Sequence, residues 1–68
     1  MINQAELKIG DKVYYQPPHM EAFGEYENGI VKEIPEHTFD AVRVVYTCAG
    51  NWENFRNYTS ELTDLSDL

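Results

Sequence analysis

Ala41-Val42-Arg43-Val44-Val45-Tyr46-Thr47 decides the fold of this chain. Valine loses side-chain freedom in a helix and packs well on a pleated surface, so a segment this rich in it is strand material. Alternation along a strand puts Val42, Val44 and Tyr46 on one face, and Ala41, Arg43 and Val45 on the other. The first set is the expected core face, because the second carries the charge of Arg43.

Upstream of it, Pro35 closes a second β segment running from Tyr26 to Ile34, and Glu36 to Asp40 form a polar turn. Asn28-Gly29 is a strong hairpin signal. A hairpin there would leave Glu25-Tyr26-Glu27 as a very short partner, so a bulge or bend inside one long strand is expected instead. Lys12-Val13-Tyr14-Tyr15 reads as the first strand, entered through a tight turn at Gly10. Pro17 and Pro18 end it. Gln16 to Glu25 is then a long loop, with room for one helical turn over Met20-Glu21-Ala22-Phe23.

Downstream, Cys48-Ala49-Gly50-Asn51 is a turn. Trp52, Phe55 and Tyr58 recur every three residues and would share a face in one or two helical turns. Tyr58 to Leu62 is the candidate fourth strand. Leu62, Leu65 and Leu68 share the same spacing, which suits a short terminal turn. Short strands, punctuated by turns and without a normal-length amphipathic helix, describe an all-β fold. The expectation is a small SH3-like barrel of about five antiparallel strands with one or two short helical turns, closed so that no strand edge is exposed. Residues 1–6 are expected to be a flexible N-terminus, and residues 7–68 the single domain.

Ile9-Gly10-Asp11-Lys12-Val13 resembles the opening of many SH3-like barrels, including KOW and Tudor-type modules. Glu27-Asn28-Gly29-Ile30-Val31-Lys32-Glu33-Ile34 looks like their second strand. Together with Val44-Val45-Tyr46, Gly50-Asn51-Trp52, Asn57-Tyr58-Thr59-Ser60 and Leu62-Thr63-Asp64-Leu65, the chain is similar to short proteins encoded by phages and mobile elements of gut bacteria. That resemblance implies a fold and such an origin, and no activity. The chain departs from KOW modules in lacking their basic character.

Sixty-eight residues allow one small core. A domain of this size buries only about 60% of its unfolded surface, which leaves little room for a reaction chamber. Twelve acidic against five basic residues give a net charge of −7. Nucleic-acid affinity draws on Lys and Arg, so direct binding to a phosphate backbone is disfavoured. A single cysteine, Cys48, forms no internal disulfide. No apolar run approaches the roughly 20 residues that span a bilayer, and Met1 to Glu6 do not have the pattern of a signal peptide. The cytoplasm is the expected location.

Chemistry-bearing motifs are sparse. His19, His37 and Cys48 offer no short-spaced ligand pair, so neither metal nor cofactor is expected. Cys48 has no neighbouring base or cation to activate it, and isolated Gly24, Gly29 and Gly50 make no phosphate loop. These features argue against an enzyme.

Aromatic residues are the outstanding feature: one Trp, five Tyr and three Phe. If Tyr14 and Tyr15 share a strand, one of them must face outward. The expected function is therefore protein or peptide binding, with exposed aromatics and nearby carboxylates attracting proline-, lysine- or arginine-rich segments of a host or phage protein. The candidate residues are Tyr15, Trp52, Phe55 and Tyr58, with Glu53 and Glu61 supplying charge. Two alternatives are an acidic DNA mimic that inhibits a host nucleic-acid enzyme and, behind it, single-stranded nucleic-acid binding by base stacking. Sequence alone leaves the partner and the oligomeric state open.

Overall fold

The computed structural model describes residues 4–46 and 50–68. Four antiparallel strands follow one another in chain order across a single sheet: β1 (Lys12–Tyr15), β2 (Glu27–Glu33), β3 (Ala41–Tyr46) and β4 (Glu61–Asp64). A one-turn helix, α1 (Pro18–Glu21), lies in the β1–β2 connection. Three 3₁₀ turns cover Gln4–Glu6, Trp52–Asn57 and Leu65–Asp67. No helix among the described residues is long and apolar enough to cross a membrane.

The fold is thus small and mostly β, but it differs from a closed five-stranded barrel. Four strands are present among the described residues, and the sheet is open between β1 and β4. Where closure was expected, one backbone hydrogen bond joins the two ends, from the Gln16 N–H to the Asp67 carbonyl at 2.7 Å. The leucine-spaced C-terminus forms a 3₁₀ turn there rather than a further strand.

Register explains the Asn28-Gly29 signal. Both residues lie inside β2, where Gly29 pairs with Val13 on one side and Tyr46 on the other. Gly29 does not adopt the positive φ seen at Gly10, Gly24 and Gly50. Its missing side chain instead leaves room for the Tyr46 ring. The irregularity in β2 comes later, between Val31 and Glu33. The fourth strand also begins later than expected, at Glu61 rather than Tyr58. Thr47, at the end of the expected third strand, lies outside the described residues, as does Cys48.

Both faces of the sheet are covered. Val13, Val31, Val42, Val44 and Leu65 form the main core, with Leu7, Ile34, Tyr46 and Leu68 packed at its margin. This is the face expected from alternation in β3. The opposite face was expected to be the wetter one, yet Ala41 and Val45 are buried too. Val45 joins Ile30 and Phe55 in a second cluster bordered by Trp52 and Tyr58. The 3₁₀ segment Trp52–Asn57 therefore acts as a lid on the sheet's second face. Phe55 anchors it from within, and the Lys32 ammonium donates to the Tyr58 carbonyl at 2.7 Å beyond its end. At the other extreme, the Gln4 side chain donates to the carbonyls of Thr38 and Ala41. That ties the N-terminal turn to the entry of β3.

A candidate cation-accepting cavity

Pairing carries one face of the sheet from β1 to β4. Tyr15 lies opposite Glu27, Val13 opposite Gly29, Gly29 opposite Tyr46, Val44 opposite Glu61, and Val42 opposite Thr63. Directly paired residues share a face. Tyr15, Glu27, Tyr46, Glu61 and Thr63 therefore extend the face that the core valines occupy. Where the valines give out, a cavity of about 240 Å³ opens, lined by these five residues with Asp64, Asp67 and Leu62.

Its apolar walls are two tyrosines. The Tyr15 and Tyr46 rings meet edge to face, with centroids 5.5 Å apart and planes at 62°. The Tyr46 hydroxyl is fixed by Thr63 Oγ1 at 2.6 Å. Thr63 Oγ1 also reaches the Glu61 carbonyl at 3.3 Å, so the hydroxyl of Thr63 links the Tyr46 ring to the β4 backbone. Burial raises the Tyr46 pKa, and the Thr63 hydrogen bond lowers it in part. Tyr15, Glu61 and Glu27 then push it further up through their negative potential.

Four acidic residues border this cavity, Glu27 and Glu61 from its own face of the sheet, Asp64 from the strand and Asp67 from the terminal 3₁₀ turn, and no lysine or arginine does. Among the described residues no three His, Cys, Asp or Glu side chains are grouped tightly enough to hold a metal ion. The arrangement can accept a positive charge spread over a larger group, between a pair of aromatic rings and a ring of acids.

The sequence-predicted residues divide between the two faces. Tyr15 and Glu61 line the cavity. Phe55 is buried in the second core cluster, and Trp52 and Tyr58 are half-buried against it. The Phe55 ring is further covered by the Arg56 guanidinium, 4.9 Å from its centroid. Glu53 is exposed on the same 3₁₀ segment. The six candidates are thus not brought together. Tyr46, Glu27, Thr63, Asp64 and Asp67 were missed. Tyr46 had a signal, as the polar-tipped last residue of the core face, but its meeting with Tyr15 depends on register across three strands.

Outward-facing aromatics lie on the other side. Tyr14 and Tyr26 are 63% and 54% exposed and form a perpendicular pair with centroids 5.3 Å apart. Lys12, Tyr14, Asn28, Gly29 and Trp52 line a second cavity beside them, of about 290 Å³, which carries a lysine and no acid. No protein-family model matches this chain, and neither a curated protein nor a solved structure matches it.

Proposed function

We propose that this chain is a small binding module of the SH3-like kind, and that it recognises a protein segment through a lysine or arginine side chain seated between Tyr15 and Tyr46. The observation that carries the reading is the cavity in which two tyrosines share one face with Glu27 and Glu61, bordered also by Asp64 and Asp67, with no basic residue in its lining. Cation–aromatic attraction is worth roughly 0.5–2 kcal/mol, more as the pair is desolvated. The acids add attraction that salt will weaken. The SH3-like assignment draws support from the meander order of the strands and from the Gln16–Asp67 contact between the first strand's end and the C-terminal turn. The partner would be a host or phage protein.

A DNA-mimic role would need carboxylates spaced along an extended surface. The acidic residues gathered here border one side-chain-sized concavity instead. That favours a single cationic group over a duplex-binding groove.

The test is an NMR titration with a short peptide alternating arginine and valine. Tyr15 and Tyr46 ring signals should move, and Glu61→Gln should weaken binding several-fold. Affinity unaffected by both Glu61→Gln and Glu27→Gln, or shifts confined to Tyr14 and Trp52, would refute the reading.

A further inference from the structure

β4 is an edge strand, and its ladder alternation can be read from one bond. The Leu65 N–H donates to the Asp40 carbonyl at 2.8 Å, so residue 65 faces β3. In an antiparallel pair every second residue points its N–H and C=O at the partner strand. Thr63 and Glu61 therefore face β3 as Leu65 does, while Leu62 and Asp64 direct their backbone groups away from the sheet. The Asp64 carbonyl caps the 3₁₀ turn Leu65–Asp67, but among the described residues nothing bonds to the Leu62 N–H and C=O or to the Asp64 N–H. Leu62 is 55% exposed, although it lies in the sheet.

All four residues of β4 line the acidic cavity. The side chains of Glu61 and Thr63 lie on its face, whereas Leu62 and Asp64 lie on the other. A cavity that touches both sets runs along the strand itself. A ligand in the cavity would therefore border the strand that carries the unpaired Leu62 groups.

We propose that the ligand docks as an extended strand paired to the outer edge of β4. This rests on the cation-binding reading of the cavity. Residues of the added strand across from Glu61 and Thr63 point onto the cavity face, where a lysine or arginine reaches Tyr15, Tyr46 and Glu27. The intervening residue lies over Leu62 and is apolar. The recognised segment is thus extended, with basic and apolar residues alternating. Backbone hydrogen bonds give affinity in such strand addition, and alternate side chains give specificity. Charge complementarity selects β4 over the other edge, because β1 exposes Lys12 and already has Gln16 bonded to Asp67.

Two measurements on the intact chain test this with the arginine–valine peptide. Hydrogen exchange at the Leu62 and Asp64 amides should slow about tenfold or more on saturation. A peptide N-methylated at the backbone nitrogens on one edge should bind about tenfold more weakly, the loss expected for one or two hydrogen bonds. The same methylation on the opposite edge should have little effect. If Glu61→Gln weakens the peptide but these amides stay unprotected and both methylated peptides bind normally, docking is by side chain alone. Strand addition is then wrong, although the cavity reading survives. Protection at Tyr14 instead would move docking to β1 and overturn the proposal. Absence of any binding would overturn both readings.

Discussion

The ring of Tyr46 lies across Gly29, its direct partner in the β2–β3 ladder. A Cβ built on Gly29 would stand 3.1 Å from Tyr46 Cε1, 3.2 Å from Cδ1 and only 2.4 Å from Val44 Cγ1. Glycine within a strand ordinarily costs stability, and alanine would be the better residue. Here the relation is reversed. Gly29→Ala should destabilise the domain by about 1–3 kcal/mol through overpacking. It should also displace Tyr46 and so weaken cation binding. Urea unfolding checks the first effect and peptide titration the second. A more stable alanine variant would show that Tyr46 does not rest where it is described.

Tyr46 should also mark the alkaline limit of the fold. Its pKa is raised above 10.0, first by burial and then by Tyr15, Glu61 and Glu27, against the lowering effect of Thr63. A raised pKa in the folded state means that the stabilisation is fully present below the unfolded pKa, near 10. It is lost as pH climbs through the higher folded value. Tyrosinate absorbance should show one tyrosine ionising after the rest. Tyr46→Phe should remove that late step and cost about 1 kcal/mol for the hydrogen bond to Thr63. A variant that keeps the late step would assign it to another tyrosine.

The two faces of the sheet give a sharp contrast in aromatic substitutions. Phe55 is buried beneath the 3₁₀ segment, packed with Ile30 and Val45. Phe55→Ala should cost about 3–5 kcal/mol, a large share of the stability of so small a domain. Trp52→Ala should also destabilise, less strongly, because Trp52 is half-buried at the edge of the same cluster. Tyr14→Ala, at a side chain mostly in solvent, should shift stability by no more than about 0.5 kcal/mol beyond its ring contact with Tyr26. Thermal melts of the three variants give the ranking. A Trp52→Ala protein as stable as the parent would mean that the tryptophan is free for recognition instead.

Period-two alternation was enough to place β3 and its core face, and strand-forming residues with their bounding turns placed β1 at Lys12–Tyr15 and β2 one residue too long at each end, at Tyr26 to Ile34, because these depend on local pattern. What escaped depends on long-range geometry. Val45 is buried because the Trp52–Asn57 turn folds back over the second face, which no alternation within β3 can reveal. The three-residue spacing of Trp52, Phe55 and Tyr58 did announce a shared face; a recognition surface and a lid on a core have the same spacing. The cavity was half legible. Tyr15 and Glu61 were singled out for their chemistry, but Tyr46 and Glu27 join them only through the register of β1 on β2 and of β2 on β3. The leucine spacing did announce the terminal 3₁₀ turn; that this turn leaves the β1–β4 edge open depends on how the two ends of the sheet meet, which no local spacing records.

Lys32 should decide how firmly the lid is held. It sits in β2 within the irregular stretch between Val31 and Glu33, and its ammonium donates to the Tyr58 carbonyl. Lys32→Met keeps most of the aliphatic stem and removes only the charged donor. The Tyr58 carbonyl can turn to water, because the residue is half-exposed, so the net loss should be about 1 kcal/mol. The effect should be local. The Tyr58 amide, bonded to the Phe55 carbonyl at 3.1 Å, should exchange faster, while amides of the β2–β3 ladder keep their rates. Peptide affinity should be unaffected, since the cavity lies on the opposite face. Uniformly faster exchange through the sheet would show instead that the lid and the sheet open as one unit. The second face would then be as much a part of the folding core as the valine face.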